Sequence, residues 1–255
     1  MSTPDPHAFD FEAMFDEDYL FFYGPLLEER SDADADLIER LLAPTPGSRI
    51  LDLGCGHGRI TNRLASRDIT ATVTGLDASA LFLDHARADA EARGLTNVQY
   101  VLGDMRALPF ESASFDIVIS WFTSFGYFND DENHRVLEEA QRILQPGGRV
   151  AIELNNLTDL LARWQPVTVI ERDGAFAIDR PRLDPVSGRA VTERTIVRDG
   201  RSRRLTFSVR MFVPAELRDW LAAAGFATTT FYDNRGDPLT ATSRRAIAVA
   251  RTPRR

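Results

Sequence analysis

Three carboxylates that follow apolar runs are the residues of this chain best placed to do chemistry. The first, Asp52, lies in the stretch Ile50 to Arg59, ILDLGCGHGR, where a strand-like run stops at Gly54, Gly56 and Gly58. Glycines at alternate positions remove Cβ atoms where backbone must bend sharply or approach a ligand closely. A dinucleotide turn instead reads G-x-G-x-x-G and aims a helix N-terminus at a pyrophosphate. An acid two residues before the first glycine repels a diphosphate and suits a cationic ligand. Asp77 follows the next apolar run, Thr72 to Leu76, and Asp104 with Met105 follows Asn97 to Leu102. Each feature alone is also what an ordinary turn uses. Their order matters, because open α/β sheets bind ligands outside the carboxyl ends of their strands.

Other chemistry is excluded by composition. Cys55 is the only cysteine, so an intramolecular disulfide and a multi-cysteine zinc site are both out of reach. All 30 basic residues are arginine, which removes a phosphate-loop lysine, Schiff-base chemistry and pyridoxal phosphate attachment. No metal site is expected, and His57, His85 and His134 read as surface residues of the turn and helices. The formal charge of -8 argues against nucleic acid as a partner. That charge is uneven: residues 1 to 40 hold twelve acids against Arg30 and Arg40, whereas residues 163 to 210 hold eleven arginines against six acids. Alternating arginine on strands reads as a solvated face.

The elements that must position these acids follow from the apolar pattern. Strands are expected at Ile50 to Leu53, Thr72 to Leu76, Asn97 to Leu102, Phe115 to Ser120 and Arg149 to Glu153. Helices at about 58 to 67, from Ser79 towards Gly94, and from Asp131 to Leu144 alternate with them, the last stopping at Pro146-Gly147-Gly148. Five β-then-α steps of this length give a doubly wound, mostly parallel α/β sheet. A helix from Ser31 to Leu42, capped by Ser31, precedes it. Before that, the aromatics of Ala8 to Tyr23 crowd an acidic segment, which reads as a docked helix or a lid; Met1 to His7 are expected to be disordered. Beyond Asn155, Asp173-Gly174 and Asp199-Gly200 are hairpin turns and Asp184 to Gly188 a longer one, so an antiparallel meander is expected. Its strand Leu205, Phe207, Val209, Met211 turns one apolar face to something that must cover it. Pro214 starts a helix that Gly225 ends, and Phe226 to Tyr232 and Ala246 to Ala250 are the last strands. The expected organisation is a helical lid over 1–45, a core over 46–155, a β insertion over 156–213 acting as cap or dimer layer, and a C-terminal return over 214–255.

The Asp52-x-Gly54-x-Gly56-x-Gly58 turn with Asp77 and Asp104 at their spacing resembles class I S-adenosylmethionine (SAM) dependent methyltransferases, a likeness that covers about Ser31 to Leu154. It implies a seven-stranded sheet and SAM as methyl donor. Gly54, Cys55 and Gly56 would approach it, Asp52 or the carbonyls of Gly54 and Ser120 would place its ammonium, and Asp77 with Ala78 would hold the ribose. Asp104 and Met105 would hold the adenine. Arg30 is the first candidate for the carboxylate and Arg59 the second. The loop Trp121 to Phe128, WFTSFGYF, resembles that of methyltransferases acting on amino sugars and other natural products, although Tyr127 stands where several sugar N-methyltransferases carry histidine. Trp121, Phe122, Phe125, Asn155 and Asn156 are then substrate-side candidates, and Tyr127, Tyr19 and Tyr23 the candidate catalytic hydroxyls.

The reading is a cytoplasmic SAM-dependent methyltransferase acting at N or O of a small molecule of secondary metabolism, able to dimerise through the β insertion. The alternatives are a quinone C-methyltransferase or an RNA methyltransferase, and more remotely an NAD-dependent oxidoreductase or a non-catalytic SAM-binding protein.

Overall fold

The structure is a computed structural model that describes residues 10–67 and 71–254; the expectation for Met1 to His7 lies outside the described residues. Five parallel strands, β1 (Arg49–Leu53), β2 (Thr72–Asp77), β3 (Val98–Leu102), β4 (Phe115–Ser120) and β5 (Leu144–Asn155), are joined by helical crossovers. Two later strands, β10 (Thr228–Tyr232) and β11 (Arg245–Arg251), complete a seven-stranded sheet in the order β10-β11-β5-β4-β1-β2-β3. β11 lies antiparallel between β5 and β10. The chain reverses its direction of winding between β1 and β4, so the switch-point crevice opens beyond Leu53 and Ser120.

Both faces of this sheet are covered, which is why its strands read as continuous apolar runs. Successive side chains point to opposite faces. Ile50, Val73, Ile117 and Ile119 pack with Leu37, Ile38 and Leu42 of α3 (Ser31–Leu42) and Ile60 and Leu64 of α4 (Arg59–Ala65). Leu51, Leu53 and Val118 pack on the other face with Leu137 and Ile143 of α6 (Asp130–Ile143) and Leu221 of α8 (Pro214–Ala223). Among the described residues no helix is long and apolar enough to cross a membrane.

Local chemistry moves several expected boundaries. The aromatic N-terminal segment forms two helices, α1 (Phe11–Met14) and α2 (Glu17–Glu28), because Asp10 and Asp16 each cap a new start by accepting from the N–H of Ala13 and Tyr19. Ser31 is not a cap: it lies inside α3 and its hydroxyl donates to the Leu27 carbonyl, 2.9 Å away. Ser79 does cap α5 (Ala80–Ala92), accepting from the N–H of Phe82. Pro146-Gly147-Gly148 is strand rather than helix stop, since Leu144 already pairs with Phe115 and a register shift follows.

The second sheet is the expected meander, β6 (Thr168–Arg172), β7 (Ala175–Asp184), β8 (Arg189–Arg198) and β9 (Arg201–Arg210), which follows the short helix α7 (Leu157–Ala162). Asp173-Gly174 and Asp199-Gly200 have positive φ at both central residues, the geometry that matches strand twist in two-residue hairpins. Its arginines are not simply solvated. Arg203 pairs with Asp16 and Asp18, Arg198 pairs with Asp18 and covers the Phe21 ring, and Arg172 donates to the Phe21 carbonyl. Phe22 packs on Ala175, Ala177 and Ile196, with Leu205 against the same cluster. The acidic N-terminus and the arginine-rich strands are thus complementary faces of one interface. Along β9 and the residue after it, Leu205 packs against the Phe22 cluster, whereas Phe207, Val209 and Met211 line a cavity.

Candidate active site

Two cavities meet at the carboxyl ends of the parallel strands. The smaller, a cleft of about 100 Å³, is bounded on the sheet side by Asp52, Gly54, Cys55, Gly56, Asp77, Ala78, Asp104 and Met105. Phe11, Phe15 and Tyr19 from the N-terminal helices, Phe82 from α5, and Phe122 and Tyr127 from the loop after β4 close it. The larger is a chamber of about 830 Å³ beneath the second sheet, and it shares Tyr19, Phe122, Thr123 and Tyr127 with the cleft.

The glycine turn is shaped by what lies against it. At Gly54, φ is +74°, and a Cβ would stand 2.8 Å from Ser124 Cβ and 3.2 Å from Met105 Cε. A Cβ on Gly58 would stand 2.7 Å from Ala86 Cβ, so that glycine serves the packing of α4 on α5. Asp77 braces the turn: one carboxylate oxygen accepts from the N–H of Gly56 at 2.8 Å, the other from the N–H of Ser79 at 2.9 Å. The Ala78 N–H also bonds this carboxylate, whose two oxygens offer about four acceptor directions in all. Burial raises the Asp77 carboxyl above the usual carboxylate range. Asp52 is buried too, accepts from the Thr61 hydroxyl at 2.7 Å, and is pushed up to about 6 by desolvation. Asp104 differs, because Arg106 grips it at 2.6 to 3.0 Å and holds its carboxyl below the usual range.

Other positions change the assignments. Arg59, the second candidate for a carboxylate partner, lines the cleft and pairs with Asp34 at 2.9 Å. Arg30, the first candidate, lines the chamber instead, its guanidinium 3.5 Å from Asp34. His57 also lines the cleft rather than the outer surface, and burial lowers it to about 4, so it is neutral at pH 7. Trp121 lines the cleft and not the chamber, packed in the cluster around Ile38 and Ile60. Phe125 lines neither cavity, being 1% exposed and stacked on Phe212 at 5.5 Å. Asn156 is also elsewhere, its amide donating to the carbonyls of Thr240 and Ser243. Ser120 is buried in β4, outside both linings.

The chamber is lined by polar groups over an apolar floor. Arg194 donates to both oxygens of Asp179 at 2.7 Å and to the Tyr23 hydroxyl at 2.5 Å. Asn155 faces the chamber and accepts from Arg245. Of its five arginines, Arg244 alone has no carboxylate partner among the described residues. Burial pushes the Tyr19 phenol up to about 12 and those of Tyr127 and Tyr23 upward as well. Near neutrality these phenols are protonated and able to donate a hydrogen bond. Asp179 and Arg194 escape a linear reading, because only the hairpin register of β7 and β8 sets them opposite each other. Phe82 is hidden in the same way by helical spacing.

A cleft with two buried carboxylates, a third at its edge, aromatic walls and no lysine fits a ligand that carries a cation, an amine and hydroxyls better than it fits a diphosphate. Known proteins agree. A family model described as a methyltransferase domain matches residues 50–148. The ubiquinone/menaquinone biosynthesis C-methyltransferase UbiE of Cereibacter sphaeroides is 34% identical over 74% of this chain and 70% of its own length. The CcbJ methyltransferase from Streptomyces caelestis superimposes with a TM-score of 0.75 at 25% identity, over 88% of this chain and 95% of that one. The SAM-bound amino pentose methyltransferase CalS10 of Micromonospora echinaspora shares the fold, with a TM-score of 0.66 at 20% identity over 95% and 98% of the two chains. The chain belongs to the class I SAM-dependent methyltransferases, and SAM is its methyl donor.

Proposed function

We propose that this enzyme transfers the methyl group of SAM to a nitrogen or oxygen of a polar small molecule held in the chamber. The observation that carries the reading is the chamber itself. At about 830 Å³ it has the size of a small-molecule site, it adjoins the donor cleft through Tyr19, Phe122, Thr123 and Tyr127, and it is walled by hydrogen-bonding side chains. In this reading Asp77 accepts both ribose hydroxyls, Asp104 and Met105 receive the adenine, Asp52 places the ammonium, and Arg59 rather than Arg30 serves the carboxylate.

SAM supplies a methyl carbon already activated by positive sulfur. The protein's task is alignment and exclusion of water, an effect worth roughly 7 to 11 kcal/mol where geometry is ideal. Tyr19 and Tyr127, protonated and common to both cavities, orient the acceptor. Met14, Leu160, Trp164, Phe207, Val209 and Met211 give the chamber an apolar side as well. With the 34% identity to a quinone C-methyltransferase, that side supports a second reading, methylation of a quinone ring carbon.

The two readings are separated by incubating the purified protein with SAM and a panel of amino sugars, phenols, carboxylic acids and a demethylmenaquinone. Products are located by mass spectrometry. An N- or O-methylated product from the polar members supports the first reading; a ring-methylated quinone with none of them methylated overturns it.

A further inference from the structure

Phe122 and Thr123, which line both cavities, are consecutive residues with φ of +55° and +61°. The left-handed region is uncommon for any residue other than glycine and a genuine outlier for a β-branched one. Such backbone persists only where its surroundings over-determine it. The constraint here is a buried ion pair. Glu153, at the end of β5 and 1% exposed, accepts from the Phe122 N–H at 2.6 Å through one carboxylate oxygen, and its own carbonyl accepts from the Thr123 N–H at 3.0 Å. Arg245, the first residue of β11, donates to both oxygens of Glu153 at 2.7 and 2.9 Å and to the Thr123 hydroxyl at 2.7 Å. The next residue, Ser124, donates to the Gly54 carbonyl at 3.0 Å, tying the same loop to the glycine turn. The guanidiniums of Arg59, which lines the cleft, and Arg245, which lines the chamber, lie over the Phe122 ring, 5.6 and 5.4 Å from its centre.

We infer that the Glu153–Arg245 pair is a positioning device for methyl transfer: it holds Phe122 and Thr123 in a strained conformation that forms the partition between donor cleft and acceptor chamber. A buried carboxylate in the middle of a sheet is a poor way to gain stability alone, since desolvation offsets its attraction to a partner. Its bonds to the loop give it a use. The pair spans β5 and β11, two antiparallel neighbours whose register is fixed by seven pairings, so the loop is referred to the rigid sheet. Sequence alone hides this, because Glu153 and Arg245 stand 92 residues apart inside apolar strands.

The test is a cycle on the full chain with SAM as the probe. Glu153→Gln is expected to weaken SAM binding at least tenfold by calorimetry, at a temperature well below its unfolding midpoint. Thr123→Gly, which tolerates positive φ without a clamp, serves as the reference for the double variant. Combined with Thr123→Gly, Glu153→Gln is expected to lose less than half as much, in log units, as it loses alone. If Glu153→Gln does not fold, Arg245→Lys, whose single ammonium lacks the guanidinium fork that reaches both Glu153 oxygens and the Thr123 hydroxyl, replaces it in the same cycle. A folded variant with a lowered midpoint but SAM affinity within twofold of the parent would mean that the pair is only structural. A turnover arm, using any acceptor found in the panel above, rests on the reading of the chamber and should show kcat falling more than KM rises. Failure to find an acceptor leaves the SAM arm intact, so the two ideas fail separately.

Discussion

Replacing Asp77 distinguishes a ribose ligand from a mere brace of the glycine turn. Its carboxylate accepts two backbone N–H groups, from Gly56 and Ser79, and lines the donor cleft. Alanine would remove the ribose contacts and also free both N–H groups, mixing the two effects. Asparagine loses the charge but keeps one oxygen for the turn, so it frees one of the two N–H groups where alanine frees both. Hydrogen bonds to a charged group contribute about 1.5 to 3 kcal/mol, so Asp77→Asn should weaken SAM about 10- to 150-fold. Asp77→Ala should match that loss and lower the thermal midpoint further than Asp77→Asn, because it frees both donors. Calorimetric titration with SAM, S-adenosylhomocysteine and an analogue lacking the ribose 3′-hydroxyl reads the effect. The parent should discriminate against the deoxy analogue, and Asp77→Asn should discriminate much less. SAM affinity within threefold of the parent in Asp77→Asn, with undiminished discrimination, would remove Asp77 from the ribose.

Four further outcomes follow from the same geometry. Burial raises Asp52 to about 6 from an ordinary 3.8, so the folded state holds a proton that the unfolded chain has lost between those values. Stability therefore falls as pH rises from about 4 to 6, by about 3 kcal/mol in all; Asp52→Asn should be the more stable apo protein at pH 7 by denaturant titration, and an advantage that persists unchanged at pH 4 would contradict the assignment. The ionised carboxylate is the form suited to the donor's ammonium, so SAM affinity should weaken as pH drops from 7 to 5 in the parent and weaken less in Asp52→Asn, where Asp77 is the remaining raised carboxyl of the cleft. Tyr127→Phe removes an orienting hydroxyl worth about 0.5 to 1.5 kcal/mol, so kcat should fall no more than about 13-fold with SAM affinity unchanged; a loss of 10² or more, the range of a general base, would restore Tyr127 to that role. Arg203→Ala breaks part-exposed pairs worth about 0 to 1 kcal/mol each, so the midpoint should move little while limited proteolysis within residues 10–30 quickens; unchanged proteolysis would show that the arginines do not hold the N-terminal helices down.

The lining of the cleft was legible in the sequence because each of its parts is local. The glycine turn, Asp77 and Asp104 each stand at the end of an apolar run, and the order of the runs fixes where they meet. The hairpins of the second sheet were legible for the same reason, since Asp-Gly at a turn is chemistry of adjacent residues. What was hidden is pairing at a distance. Arg59 and Arg30 stand on either side of α3, and only its packing on α4 decides which of them enters the cleft. The arginine-rich strands looked solvated, yet they complement the acidic N-terminal helices when folded. Phe125 looked like its neighbours in WFTSFGYF, but the loop turns it into the core while Phe122 and Tyr127 face the cavities.

The crystal structure of the protein with S-adenosylhomocysteine bound tests the central division of the site most directly. The ribose should sit on Asp77, the amino acid end should lie between Asp52 and Arg59, and the sulfur should face the opening framed by Tyr19, Phe122 and Tyr127, with the chamber left free for the acceptor. Density for the ligand in the chamber beside Arg194 and Asp179, or a ribose remote from Asp77, would contradict the account.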